Sequence, residues 1–169
     1  MLQMQNRLLV LGIGNVLMGD EGVGVHAVRF MELDTFPPHV TLVDGGTGGF
    51  HLLSYFEEYP SIIIIDATMD GRPPGTLSLI RPRFASDFPR SLSAHDIGLR
   101  DLIEAASLLG PLPCIYLVTV SIGSVSSMVM DLSPAVEAAL PRVTELVLQI
   151  LDTAPDRNVA PCYSYWSDV

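Results

Sequence analysis

Two neighbouring carboxylates interrupt a glycine-rich loop near the start of the chain. Residues 8–25 read LLVLGIGNVLMGDEGVGV, an apolar run that stops at Gly12 and continues through further glycines to Asp20 and Glu21. Leu17 stands where a dinucleotide fingerprint needs its third glycine, and the Lys-Ser/Thr pair of a phosphate-binding P-loop is absent. Carboxylates at a helix start are favoured by the helix dipole, but they repel phosphate. The loop therefore predicts a site for something other than a nucleotide, and no nucleotide cofactor is expected.

A third carboxylate and a histidine could join Glu21 in binding a divalent cation. Asp66 directly follows four isoleucines, so its carboxylate is partly desolvated and needs a cation or hydrogen-bond donors nearby. His95 lies at a predicted helix start, where the dipole favours the neutral imidazole that binds metals. Two carboxylates and one imidazole suit nickel or zinc with an open coordination position.

Each of these residues also has a purely structural interpretation. Asp20 could cap the helix that follows it, and Glu21 could be solvated in the first turn of that helix. Asp66 could cap a nearby turn, and His95 could be a hydrogen-bonded surface residue. The other three histidines are interpreted in that way: His26, His39 and His51. The candidates are far apart in the chain, so spacing alone does not decide between the two interpretations.

Strands and helices alternate along the chain. Short apolar runs predict five strands, at residues 7–13, 39–43, 61–65, 75–80 and 114–121. Helical periodicity predicts helices at residues 20–33, 50–58, 93–110 and 133–151. In the last of these, Ser133 should be the N-cap and Pro141 should kink the helix.

This alternation indicates an α/β fold with a mostly parallel sheet. Ligands of such sheets bind beyond the carboxyl ends of the strands. The 12–24 loop, Asp44 and Asp66 all follow or end predicted strands, so they should lie along one edge of the sheet.

Composition narrows the class of protein. The chain has 169 residues, of which 49% are hydrophobic and 17% charged, which fits one compact domain over residues 1–152 followed by a flexible tail at 153–169. The net charge of -10 argues against nucleic-acid binding, and no apolar run is long enough to span a membrane. Cys114 and Cys162 form no CxxC pair, so neither a disulfide nor a thiolate zinc site is expected. With no recognisable signal peptide, the expected location is the cytoplasm.

Taken in order, several segments resemble one family. LGIGNVLMGDEGVGV, LVDGGTGGFHLL, IIIIDA, PGTLSLIRP, SAHDIGLRDLI and LSPAVEAAL together look like the hydrogenase maturation endopeptidases, which process the large subunit of [NiFe] hydrogenases. The resemblance covers roughly residues 7–151. It implies a three-layer α/β/α sandwich of the phosphorylase/hydrolase-like kind, with a mostly parallel twisted sheet.

The resemblance also implies a role for specific residues. Glu21, Asp66 and His95 match the family's metal-contacting residues, and Asp44 matches an acidic residue considered important for function. The family removes a short C-terminal extension from the large-subunit precursor after nickel insertion. The nickel belongs to the precursor and serves as a recognition element, and the protease is expected to act as a monomer.

One segment departs from the family pattern. A proline-containing stretch usually follows the last central strand, whereas here the sequence is SIGSVSSMVMD. This change bears on which hydrogenase is recognised. Two other functions stay open: a zinc hydrolase with a resident metal on the same ligands, and a module that binds nickel-loaded precursor without cutting it.

Overall fold

The computed structural model describes residues 7–88 and 99–153. Its strands are β1 (Leu8–Gly12), β2 (Val40–Asp44), β3 (Ser61–Thr68), β4 (Leu77–Ile80) and β5 (Cys114–Ser121). Its α-helices are α1 (Val23–Met31), α2 (Leu53–Glu58), α3 (Leu99–Leu109), α4 (Pro134–Glu137) and α5 (Leu140–Thr153). Short 3₁₀ helices lie at Gly19–Gly22, Phe50–Leu52 and Ala85–Asp87.

The five strands form one sheet in the order β2-β1-β3-β5-β4. All neighbours are parallel except β4, which runs antiparallel to β5 at one edge. The prediction of a mostly parallel sheet is therefore confirmed. Because parallel strands are covered on both faces, the central strand β3 is buried along its whole length.

Apolar side chains alternate between two cores, one on each face of the sheet. Ile63 and Ile65 pack with α1 and α5 on one face, whereas Ile62 and Ile64 pack with α2 and α3 on the other. This gives three layers, as expected, with the carboxyl ends of the four parallel strands along one edge. That edge is called the carboxyl edge below.

The structure corrects two details of the helix prediction. The segment 20–33 begins as the 3₁₀ helix Gly19–Gly22 and becomes α-helical only at Val23. The predicted 133–151 helix is two helices, and Pro141 is the second residue of α5 rather than a kink within it. Proline is tolerated in a first helical turn because its missing N–H would have no intrahelical partner there.

The cysteine prediction is wrong for Cys114, which is disulfide-bonded. Its isolated position in the sequence gives no spacing signal for such a bond. Because disulfides are uncommon in a reducing cytoplasm, the cysteines do not support the expected cytoplasmic location, which stays a prediction. In the part of the chain that the structure describes, no helix is both long and apolar enough to cross a membrane. Cys162 and the predicted tail beyond Thr153 lie outside the described residues.

Candidate functional site

Glu21 is held at the carboxyl edge by close packing of backbone. It lies in the 3₁₀ helix Gly19–Gly22, and only 2% of it is exposed. The loop folds back so tightly that a Cβ on Gly14 would lie 2.1 Å from the Glu21 carbonyl oxygen. Gly14 also has a φ of 151°, which side chains rarely adopt. A side chain at position 14 would clash with this backbone, so Gly14 is what allows Glu21 to take its position.

Asp66 lies inside β3, not at its end, because the strand continues to Thr68. The residue is fully buried, and its Oδ1 accepts a hydrogen bond of 2.8 Å from the Ala67 N–H. The adjoining Ile65 carbonyl accepts a hydrogen bond of 2.9 Å from the Ile13 N–H. Because Gly14 follows Ile13, one short stretch of backbone connects the Glu21 loop to the residue before Asp66.

The first turn of α1 also packs directly on these strand ends. A Cβ on Gly24 would lie 2.2 Å from the carbonyl oxygens of both Ile13 and Ile65. The glycine spacing of the loop thus serves contact between helix and strands. This contact brings the backbones of the Glu21 and Asp66 segments into one compact unit at the carboxyl edge.

Sequence reasoning missed the polar side chains that surround Asp66. In register, Asp66 pairs with Thr119, and Thr68 pairs with Ser121. Paired residues of parallel strands share a face, so all four side chains project toward the α2 and α3 layer. All are buried, between 0% and 3% exposed. The sequence did contain a signal for them: Thr119 and Ser121 are two positions apart in CIYLVTVS, which is the spacing of side chains on one face of a strand.

Asp20 has a different partner from the one predicted. It caps neither the 3₁₀ helix nor α1 through its side chain. Its carboxylate instead accepts hydrogen bonds from the Ser133 N–H at 2.6 Å and the Ser133 hydroxyl at 2.8 Å. Ser133 does precede α4 as expected, but its hydroxyl donates to Asp20 rather than capping that helix. Asp20 therefore fastens the carboxylate-bearing loop to the segment before α4.

Asp44 lies on the opposite face of the sheet from Asp66. Gly12 pairs with Asp44 on one side and with Ile65 on the other, so these three residues share the α1 face. Asp66, one residue further along β3, projects from the other face. The Asp44 carboxylate is bound by Arg29 of α1 at 2.9 Å and by the Gly46 N–H at 2.9 Å. The structure does not bring Asp44 together with Asp66, and its catalytic role stays a prediction.

His95 lies outside the described residues, so the predicted ligand set is placed only for its two carboxylates. Within residues 7–88 and 99–153, no three side chains of His, Cys, Asp or Glu cluster closely enough to hold a metal ion. The metal-contacting roles of Glu21 and Asp66 stay predictions.

Comparison with known proteins assigns the chain to a family. The family model described as HycI, hydrogenase maturation protease, matches residues 25–150. The hydrogenase 2 maturation protease of Escherichia coli K12 is 34% identical over 148 residues, covering 86% of this chain and 90% of that protein. The hydrogenase expression/formation protein HupD of Bradyrhizobium diazoefficiens is 46% identical over 113 residues, covering 64% of this chain. Three HupD relatives are covered over 58%, 52% and 54% of their own lengths, little more than half.

The fold agrees with this assignment. The structure of the hydrogenase maturating endopeptidase HybD from E. coli is similar at a TM-score of 0.78 and 35% identity. The similarity covers 88% of this chain and 94% of that one. The predicted α/β fold and the predicted family are both confirmed: the chain belongs to the hydrogenase maturation proteases.

Proposed function

We propose that this protein is an endopeptidase that removes the C-terminal extension of a [NiFe] hydrogenase large-subunit precursor after nickel insertion. The observation that carries the proposal is the pair of buried carboxylates at the carboxyl edge. Glu21 is 2% exposed and Asp66 is fully buried, in a chain of the maturation protease family. The E. coli relative that matches most of this chain is named a hydrogenase 2 maturation protease, which supports the same activity here.

Nickel on the precursor would serve as the recognition element. Carboxylate oxygens are among the ligands that divalent ions take in proteins, and Glu21 and Asp66 belong to adjoining segments at the carboxyl edge. In this proposal Glu21, Asp66 and His95 complete the coordination of nickel that the precursor already holds. A precursor without nickel would lack this contact and would therefore not be cleaved until nickel had been inserted.

The chemical step is hydrolysis of one peptide bond. A water molecule adds to the scissile carbonyl carbon, the carbon–nitrogen bond breaks, and the leaving amine takes a proton. The substrate's divalent ion would polarise that carbonyl or lower the pKa of the attacking water. The protein's part is to position the ion with its two carboxylates. The carboxylate of Asp44 is bound by Arg29 on the other face of the sheet, so this proposal gives Asp44 no part in holding the ion.

The proposal also includes the setting in which the protein acts. It would act as a monomer in the cytoplasm on a protein substrate, with neither a nucleic-acid nor a membrane partner. The substrate's nickel is the one metal the reaction needs.

Intact mass spectrometry of the precursor tests the proposal. Nickel-loaded and nickel-free forms of each large-subunit precursor encoded in the source genome are incubated with the protein. Mass loss in the loaded form alone is the expected result, and it also locates the cut. Cleavage of both forms would refute nickel recognition.

Binding without cleavage would indicate the non-catalytic checkpoint module instead. One equivalent of zinc in protein purified without added metal would indicate a resident-metal hydrolase.

Variants of two proposed metal ligands test whether those residues act in cleavage or only in keeping the protein folded. Asp66→Asn keeps the size of the side chain but removes its charge, and we expect cleavage to be slower by about 10- to 100-fold. His95→Ala should have a similar effect, whereas Asp152→Asn, an exposed carboxylate on α5, should cleave normally. Thermal unfolding of each variant checks that the fold persists. Normal cleavage by Asp66→Asn would contradict the ligand assignment.

A further inference from the structure

Four large apolar side chains lie exposed next to the candidate site. They are Leu17 (47% exposed), Met128 (84%), Val129 (41%) and Met130 (59%). Together they are called the apolar patch below. None of them carries a charge, although the protein as a whole has a net charge of -10. Exposed apolar groups clustered in one place indicate a binding surface more strongly than single exposed residues do.

Backbone contacts hold the two segments of the patch together. Met18 and Val129 form an isolated parallel bridge. The Gly19 N–H donates to the Val129 carbonyl at 2.6 Å, and the Ser126 N–H donates to the Met18 carbonyl at 3.4 Å. Leu17 and Met128 directly precede the two bridged residues. The patch therefore has a defined backbone and does not depend on a loose loop.

The backbone at Met128 is itself unusual. Its φ of 62° is the only positive value at a non-glycine residue among those the structure describes. Such a conformation is uncommon for an unbranched apolar residue and persists only where neighbouring contacts enforce it. Here it accompanies the most exposed side chain of the patch. The strained turn presents Met128 to solvent instead of burying it.

The patch is continuous with the carboxylate-bearing loop. Leu17 precedes Glu21 by four positions, and Asp20 binds Ser133 at the far end of the Met128 segment. A polypeptide that brings a peptide bond to Glu21 and Asp66 at the carboxyl edge must pass beside this loop. Methionine side chains are flexible and polarisable, so they adapt to apolar partners of varied shape.

We propose that the apolar patch binds apolar side chains of the precursor polypeptide close to the scissile bond. This inference rests on the proposed function and names the surface that selects its substrate. The segment that departs from the family pattern, SIGSVSSMVMD, supplies three of the four patch residues. Substrate choice by this protein is therefore set by apolar contacts made with Met128, Val129 and Met130.

Charge placed in the patch tests the proposal. Met128→Glu and Met130→Glu should each raise the KM for nickel-loaded precursor about tenfold and leave kcat within about twofold, because the patch contacts substrate away from the reacting bond. Met128→Leu keeps an apolar side chain at this position and should have the same KM as wild type. Leu108→Glu is the matched control: it is 88% exposed, at the end of α3 opposite the carboxyl edge. Its KM should stay unchanged.

Binding is measured beside cleavage, so that the two proposals fail separately. The Kd of nickel-loaded precursor is determined for wild type, both Glu variants and the control. If wild type cleaves and the Glu variants keep its KM and Kd, the patch proposal is wrong and the proposed function stands. If wild type binds without cleaving and the Glu variants bind more weakly, the patch proposal is supported and the proposed endopeptidase activity is refuted.

Two further results would overturn the patch proposal. Wild type that neither binds nor cleaves any precursor would remove both proposals together. Light scattering covers the remaining case: if wild type is a dimer and the Glu variants are monomers with unchanged precursor Kd, the patch is an interface between copies of this chain.

Discussion

Asp20 and Ser133 are 113 positions apart, yet the Asp20 carboxylate accepts hydrogen bonds from both the backbone N–H and the hydroxyl of Ser133. One bond reaches Oδ1 and the other Oδ2, so both carboxylate oxygens are used. The residue beside Glu21 thereby connects the first loop of the chain to the segment before α4. This contact gives Asp20 a positioning role that is distinct from the proposed metal contact of its neighbour.

Removing the charge of Asp20 tests this role. Asp20→Asn should lower the free energy of unfolding by about 2 kcal/mol, because the charge is removed from both hydrogen bonds and one of the two acceptor oxygens becomes an amide nitrogen. Ser133→Ala removes only the hydroxyl donor and should cost less. Urea denaturation of both single variants and the double variant measures the coupling between the two residues. Strictly additive effects would mean that Asp20 and Ser133 stabilise the fold independently.

The approach of Glu21 to Gly14 predicts a large cost for a single methyl group. Gly14→Ala should destabilise the protein by more than Gly71→Ala does, because both glycines have positive φ but only Gly14 has a backbone atom within 4 Å of the added carbon. The strain alone costs about 1–2 kcal/mol, which is the expected effect at Gly71. Urea denaturation of the two variants compares them. Equal losses would show that the loop relaxes around the new methyl group.

Asp44 forms an ion pair with Arg29, so comparing variants of the two residues shows whether Asp44 has a structural or a catalytic role. The two side chains are 35% and 52% exposed, so their pair should contribute about 1 kcal/mol or less to stability. We expect Asp44→Asn and Arg29→Gln to lose the same small amount of stability and to slow precursor cleavage by similar small factors. Cleavage rates and urea curves for both variants give the comparison. If Asp44→Asn abolishes cleavage while Arg29→Gln does not, Asp44 has the role in catalysis that the family resemblance implies.

Local sequence patterns were sufficient to predict the sheet. The run of isoleucines at 62–65 has no polar alternation, which is the pattern of a strand covered on both faces, and β3 is such a strand. The antiparallel direction of β4 was beyond reach, because direction depends on the path of the connecting chain. The break before α5 was missed since Pro141 is compatible with either a kink or a first turn.

Tertiary pairing explains what the sequence could not show at the site. Asp44 and Asp66 both come at or near strand ends, which predicted a shared edge but not a shared face. Gly12 pairs with Asp44 on one side and with Ile65 on the other, so Asp44 and Ile65 share a face. Asp66 is one position further along β3, so its carboxylate lies on the opposite face from that of Asp44. The Asp20 contact with Ser133 joins segments over 100 positions apart, and no local pattern encodes it.

The acid stability of the protein should depend on Asp70, which connects the turn after β3 to β5. Arg72 Nε donates to Asp70 Oδ2 at 2.7 Å, and the Ser121 hydroxyl donates to the same oxygen at 3.1 Å. Burial by itself would raise the pKa of Asp70, but the hydrogen bonds from Arg72 and Ser121 outweigh burial and hold that pKa below its ordinary value of 3.8.

Because the pKa of Asp70 is lower in the folded state, protonation favours unfolding. The stabilising contribution is complete above the unfolded pKa and is lost as the pH falls through the folded pKa. Asp70→Asn should therefore lower the free energy of unfolding at pH 7, and its difference from wild type should shrink steadily below about pH 4. Urea denaturation at several pH values measures this, with Asp34→Asn as an exposed control. A difference that stays constant down to the lowest pH would mean that the Asp70 carboxylate does not contribute through its charge.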